Sequence, residues 1–382
     1  MTKSTPARNS RASKTAVASE KTVPAPRLPY EPPKPKRLRP TIGLIGCGGI
    51  TVQHLAAYKK MGWDVVALCD SDTDRAETKR KDFFPKAAVI SDHRRLLERA
   101  DINVVDIATH PAERLPLIRD ALEADKDVLS QKPFVLDLDE GEALVELAKR
   151  KKRRVAVNQN GRWAPYLSYA REAATAGVLG EIQTVNISLN WNHTWIKGTP
   201  FERIHHIILY DFAIHWFDFV ACLFGERNAA SVFATTAHLR GQELRSPLAA
   251  HAIVDYGDGL ASLAFNGHTL HTNEESLSII GTEGAYSATG KVCDASRIAL
   301  RTARGTSRPR LAGNWFPDGF AGSMGELLCA IEEDREPGNN AANNLRSLAL
   351  CFAAIESTAT GKPVTPGSVR QAGAGARPDT TA

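Results

Sequence analysis

The sequence predicts an α/β protein: a doubly wound parallel sheet, followed by an α+β domain with a large, mostly antiparallel open sheet. Three observations predict it. An apolar strand, a glycine loop and a helix follow one another over residues 41–57, TIGLIGCGGITVQHLAA. From 64 to 160, short apolar runs alternate with helical patterns, as a parallel sheet with both faces covered requires. Beyond 160 the strands succeed one another across short turns, the pattern of antiparallel pairing. A chain of 382 residues has room for two such domains.

In the first stretch, Ile42, Leu44 and Ile45 read as a buried strand. Gly46, Cys47, Gly48, Gly49 and Ile50 form the turn into the helix. This layout seats a dinucleotide pyrophosphate on a helix N-terminus, where unpaired N–H groups and the helix dipole favour negative charge. Gly46 permits the tight turn, and Gly48 lets the backbone approach phosphate. The third fingerprint position, usually Gly or Ala, is Thr51, which predicts looser contact between helix and strand. A second strand over 64–69 ends in Asp70, about 20–25 residues past the loop, where a carboxylate accepts the ribose hydroxyls of NAD. Its charge repels the 2′-phosphate of NADP, and no basic residue directly follows it. NAD is expected, with NADP the lesser candidate.

Further strands are expected over 87–90, 103–108, 127–130 and 154–158, with helices over 115–123 and 141–150. Ligands bind beyond the carboxyl ends of such strands. Asp70, Thr109 with His110, Gln131 with Lys132, and Asn158 with Gln159 and Asn160 all fall there. Lys132 follows an apolar strand and precedes a proline, so it points at the crevice. Burial and neighbouring cations lower a lysine's pKa and suit it to proton transfer; an ordinary surface lysine at a strand end is the alternative.

The second domain is expected over 161–366, after a nucleotide-binding domain over 40–160. It opens on a helix over 163–176. Strands follow over 182–191, 230–237, 249–255, 260–266 and 275–280. Tyr256-Gly257-Asp258-Gly259 makes a hairpin turn between two of them. Helices return over 322–333 and 343–360. One open face of this sheet suits self-association. A second chemical centre lies over 203–218. Spacings of four and three put Asp211, His215 and Asp218 on one helix face. Asp211 beside His215 would orient the ring for proton transfer; a core histidine with its bonds satisfied is the alternative. His193, His205 and His206 add potential zinc ligands, but neither His-Glu-x-x-His nor Cys-x-x-Cys spacing occurs, so no metal is expected.

The charge balance is uneven. Residues 1–39 hold ten of the 48 basic residues and two of the 43 acidic ones, leaving the remainder near neutral. This basic tail, rich in Ser, Pro and Lys, and the tail over 367–382 are expected to be disordered. A solvated extension is a simpler reading of the tail than nucleic-acid binding. No run of 18 apolar residues exists, which excludes a membrane-spanning helix. The cysteines are Cys47, Cys69, Cys222, Cys293, Cys329 and Cys351. Scattered and without a signal peptide, they read as reduced thiols of a cytoplasmic protein.

Taken together, residues 40–366 resemble the glucose–fructose oxidoreductase / inositol dehydrogenase family, written Gfo/Idh/MocA. The resemblance rests on Gly46-Cys47-Gly48-Gly49-Ile50, Lys132-Pro133 and Asp211-x-x-x-His215-x-x-Asp218. It rests also on Gly281-Thr282-Glu283-Gly284 and Gly361-Lys362-Pro363-Val364. Two positions depart from the family pattern: Gln131 stands where it has Glu, and Arg114 where it has His. The resemblance implies a Rossmann domain with an α/β domain whose open sheet faces substrate or a partner subunit. It implies hydride transfer between a sugar, polyol or cyclitol and a nicotinamide cofactor, with Lys132, Asp211 and His215 as the proton-transfer set. Cofactor contacts are expected from Gly46, Cys47, Gly48, Gly49, Ile50, Asp70, Thr109, His110, Gln131, Lys132 and Asn158. Substrate contacts are expected from Arg162, Trp163, Trp191 and His193 besides the proton-transfer set. A homo-oligomer, dimer or tetramer, is expected through the open sheet. Two other function classes stay open: an enzyme that uses tightly bound NAD transiently within one turnover, and a non-catalytic NAD-sensing regulator.

Overall fold

The computed structural model describes residues 21–373. Six parallel strands form the first sheet. They are β1 (Thr41–Ile45), β2 (Asp64–Cys69), β3 (Ala88–Ile90), β4 (Val104–Ile107), β5 (Asp127–Gln131) and β6 (Val155–Asn158), in the order β3-β2-β1-β4-β5-β6. The order reverses between β1 and β4, which leaves a crevice beyond their carboxyl ends. Helices α1 (Thr51–Met61), α2 (Thr73–Phe83), α3 (His93–Leu97), α4 (Pro111–Glu123) and α5 (Leu138–Lys151) make the crossovers. Thr51 corrects one expectation. It is fully buried and its hydroxyl donates to the Gly46 carbonyl at 2.8 Å, so a hydrogen bond closes the gap a glycine would have closed.

After α6 (Pro165–Thr175) come β7 (Ile182–Asn190), α7 (Ile214–Phe224), β8 (Ser231–Ala237), β9 (Ala249–Asp255), β10 (Leu260–Asn266) and β11 (Glu274–Gly281). Three unexpected strands complete an eight-stranded sheet: β12 (Gly284–Lys291), β13 (Asp294–Thr302) and β14 (Gly305–Ser307). Their sequence carries small and polar residues on both faces, so alternation is weak; pairing onto β11 makes them strands. Among the described strands of this sheet β7 and β10 pair in parallel and the other neighbours antiparallel. The expected hairpin turn joins β9 to β10, with Tyr256 N–H on the Gly259 carbonyl at 2.9 Å.

Two late helices, α8 (Trp315–Glu332) and α9 (Ala341–Thr360), return toward the first sheet. Phe320, Met324, Leu327 and Leu328 of α8 share a core with Leu44, Leu55 and Leu68. A segment assigned by sequence to the second domain thus covers the first sheet.

Residues 21–39 correct the expectation of a disordered tail. Val23 N–H donates to Thr306 O at 2.9 Å, and Thr306 N–H to Lys21 O at 2.8 Å. The Tyr30 ring meets Tyr169 edge-on at 6.0 Å. The N–H groups of Lys36, Arg37 and Leu38 converge on the Glu332 carboxylate at 3.0, 2.6 and 2.6 Å. Composition misses this because the arm is held by its own backbone groups, and its prolines leave little entropy to lose. Residues 370–372 likewise pair with the first domain, Leu138 N–H donating to Arg370 O and Ala372 N–H to Leu136 O, both at 2.8 Å. The rest of the two expected tails, 1–20 and 374–382, lies outside the described residues.

Candidate active site

Lys132 leaves the end of β5, and its peptide is gripped on both sides. The Arg114 guanidinium, 1% exposed, donates to the carbonyls of Gln131, Pro133 and Thr109. The departure at 114 therefore clamps the loop that carries the lysine. The Lys132 ammonium reaches across to the second domain and meets Asp211 Oδ1 at 3.0 Å and the Asp211 carbonyl at 2.9 Å. Both side chains are largely buried, at 15% and 22% exposure, so solvent screens the pair weakly.

Asp211 lies in a π-helical turn, Ile208–Phe212, just before α7, and His215 opens α7. The wide turn rotates Asp211 toward Lys132. Asp211 therefore does not orient the His215 ring as the spacing had suggested, and His215 Nδ1 is buried with no hydrogen-bond partner. Burial first, then the Lys132 charge, holds the His215 pKa well below the ordinary imidazole value. The ring is therefore unprotonated near neutral pH and has a nitrogen lone pair open to a proton. Trp315 meets it edge-on at 5.3 Å while donating Nε1–H to Asn160 Oδ1 at 2.6 Å. Gly161 makes room: a Cβ there would come within 2.9 Å of the Trp315 ring and 3.4 Å of His215 Nδ1. Trp315 lies 100 residues from His215, and no local pattern marks it.

His193 joins this group. Trp191 Nε1–H donates to His193 Nδ1 at 2.8 Å, which leaves Nε2 as the protonated nitrogen, buried without a partner. Burial lowers its pKa to about 4, while Asp211 and Lys132 act on it in opposite directions. Trp191 stacks on Phe212 at 4.1 Å. His193, Trp195 and Phe201 continue the ring contacts to His110 of the first domain, at 5.1, 5.9 and 5.7 Å in turn.

Two expected substrate contacts are used otherwise. Arg162 donates Nε–H and Nη2–H to Asp218 at 2.6 and 2.7 Å and Nη1–H to Gly338 O at 2.6 Å. Asp218 also accepts from Ser347 Oγ at 2.8 Å. Arg162 and Trp163 line a separate cavity of about 680 Å³, walled by Leu28 and Tyr30 of the arm, whose lining includes none of Lys132, Asp211 and His215.

The loop after β1 fits a dinucleotide. Gly46 has φ 94°, and a Cβ there would lie 2.9–3.0 Å from Thr109 and Ala108. Gly48 and Gly49 face open space, and no side chain caps the first turn of α1. Asp70 accepts from Cys47 N–H at 2.7 Å and from Asp72 N–H at 2.9 Å, which fixes its carboxylate at the end of β2. Thr109 Oγ1 and Asn158 Oδ1 are buried without partners beyond the strand ends. Burial, then the Asp70 charge, pushes the Cys47 thiol up to about 12, so it stays protonated. Gln131 faces inward, its Oε1 accepting the Lys132 N–H at 2.8 Å. Among the described residues no cluster of three metal-ligating side chains converges, and no helix is long and apolar enough to cross a membrane.

Comparison with known proteins agrees with this layout. Residues 41–159 match the model of an oxidoreductase family with an NAD-binding Rossmann fold, and residues 167–287 match the GFO/IDH/MocA C-terminal domain. The D-apiose dehydrogenase of Paraburkholderia graminis is 27% identical over 337 residues, covering 84% of this chain and 88% of that enzyme. The inositol 2-dehydrogenase of Rhizobium meliloti is 25% identical over 327 residues, covering 83% and 96%. The crystal structure of an oxidoreductase from Agrobacterium radiobacter in complex with NAD+, L-tartaric acid and magnesium shares the fold. Its TM-score is 0.78 at 22% identity, over 86% of this chain and 99% of that one. With matches that together span more than half its length, the chain belongs to the Gfo/Idh/MocA oxidoreductase family and carries that family's NAD-binding Rossmann domain.

Proposed function

We propose that the protein oxidises a secondary hydroxyl of a sugar, polyol or cyclitol, or reduces the corresponding carbonyl, with Lys132, Asp211 and His215 handling the proton. The carrying observation is the Lys132–Asp211 ion pair beside a neutral His215, where two domains meet beyond the carboxyl ends of a parallel sheet. The similarity to the apiose and inositol dehydrogenases supports the substrate class.

In the oxidation direction the substrate hydroxyl gives its proton to His215. Lys132 donates a hydrogen bond to the developing alkoxide, and Asp211 holds the ammonium in place. His193 Nε2–H, lacking a partner, orients a neighbouring substrate oxygen. NAD, when bound, would supply the hydride acceptor. Gly46, Gly48, Gly49 and the first turn of α1 would hold its pyrophosphate, and Asp70 its ribose. Removing the proton only as the C–H bond breaks is worth about 10²–10⁴-fold.

The same reading includes a homo-oligomer, because Phe233, Ile253 and Ile280 leave apolar side chains exposed on β8, β9 and β11. It includes a reducing cytoplasmic setting, since all six cysteines are free.

The test is a panel of sugars, polyols and cyclitols assayed by NADH absorbance. Turnover on at least one, lost in Lys132→Met, is the expected result. Purified protein that binds NAD but turns over no panel member would overturn the reading.

A further inference from the structure

We propose that His54 is a positioning residue for Lys132, acting through Gln131 from the core of the nucleotide-binding domain. The proposal rests on the dehydrogenase reading only for its kinetic consequence.

His54 lies on α1, one turn beyond the glycine loop, and is fully buried. Its Nδ1 lies 2.7 Å from Oδ2 of Asp106 on β4, itself fully buried. Tyr58, one helical turn further on, donates its hydroxyl to the same oxygen at 2.5 Å. Opposite, Nε2 faces two side-chain amides: Gln131 Nε2 at 3.4 Å and Asn158 Nδ2 at 3.3 Å.

The hydrogen assignment follows from one bond. A backbone N–H can only donate. Lys132 N–H meets Gln131 Oε1 at 2.8 Å, which fixes the Gln131 amide with its oxygen toward Lys132. The amide nitrogen therefore points at His54, and a side-chain NH₂ can only donate. His54 Nε2 must accept, so the single ring proton sits on Nδ1 and is donated to Asp106. The three β-strands β4, β5 and β6 thus each send one side chain to this ring. The path then continues from Gln131 to the Lys132 peptide, and from the ammonium to Asp211.

This accounts for Gln131. A carboxylate at 131 has no N–H to donate and would face the bare Nε2 with acceptor lone pairs. With glutamine the network closes, Oε1 accepting from Lys132 N–H and the amide nitrogen donating to His54. It also ties Lys132 to the element that begins at the cofactor loop, since α1 carries both. Misplacing a reacting group by about 1 Å can cost 10²-fold, so a lysine peptide gripped by Gln131 on one side and Arg114 on the other has a kinetic purpose.

Two measurements test the proposal on the full chain. Nitrogen NMR of the histidine rings should show the His54 ring as the Nδ1–H tautomer in the parent, with Nε2 bare and accepting. An Nε2–H tautomer in the parent overturns it. This readout needs no substrate, so it stands apart from the outcome of the sugar panel. Gln131→Met should lower kcat about 10-fold, with the KM of the oxidised substrate within about 2-fold of the parent. Gln131→Glu keeps an acceptor for the Lys132 N–H and should recover part of that loss. Parent-like kcat in a folded Gln131→Met overturns the positioning role.

Discussion

The Lys132 ammonium and the Asp211 carboxylate are 3.0 Å apart although 79 residues separate them, one at the end of a strand in the first domain and the other in a π-helical turn of the second. The same ammonium is hydrogen-bonded to the Asp211 carbonyl at 2.9 Å, so two bonds cross the domain junction at one residue. The pair holds a fixed cation close enough for its charge to act on the buried His215.

Lys132→Met and His215→Asn should each lower kcat by roughly 10²-fold or more, with the NAD dissociation constant changing little. Asp211→Asn should cost less, about 10-fold, since it leaves the ammonium in place without its counter-charge. The Lys132 and His215 losses should fall well short of additive in the double variant, because both residues handle one proton. Steady-state kinetics with titrated NAD checks all four.

The pH dependence follows from the buried histidine. The His215 pKa is held below its ordinary 6.5, so the ring stays unprotonated as the pH falls through that value. For oxidation, kcat/KM should therefore hold level through pH 6.5 and decline only at lower pH. Stability runs the same way. The unfolded chain takes up this proton near 6.5 and the folded one does not, so the contribution is complete above 6.5 and is lost as the pH falls below it. An acid limb at or above 6.5 in the kcat/KM profile would contradict a neutral His215.

Asp70→Ala should raise the NAD dissociation constant about 10-fold or more and change that of NADP less, narrowing the preference. The carboxylate is fixed by Cys47 N–H and Asp72 N–H, so its loss also loosens the loop. Calorimetric titration of both cofactors against parent and variant measures this, and equal affinities for NAD and NADP in the parent would refute the role.

The arm makes a stability prediction. Glu332→Gln weakens the acceptor for three successive N–H groups and should lower Tm by a few degrees. Deleting residues 1–39 should lower it further, because the deletion also uncovers Tyr169 and the groove at Gly325 where Pro33 O approaches. Turnover of the folded remainder should stay near that of the parent. Thermal unfolding followed by circular dichroism, with activity measured well below Tm, separates the two effects.

The sequence by itself determined the elements whose signals are local. The glycine loop, Asp70 at the end of β2, the Tyr256–Gly259 turn and most strand limits follow from backbone chemistry and side-chain period. Lys132 and His215 stood out as candidates because a lysine before a proline at a strand end, and a histidine in an apolar helix, are conspicuous where they stand. Tertiary structure alone decided what those residues touch. It turned Asp211 to Lys132 rather than to His215, spent Arg162 on Asp218, set Trp315 against His215, built β12 to β14 on an existing sheet edge and laid the arm across the body. The reason is physical: period and propensity report how a segment lies along its own axis, whereas these contacts depend on crossing angles and on burial supplied by residues far away in the chain.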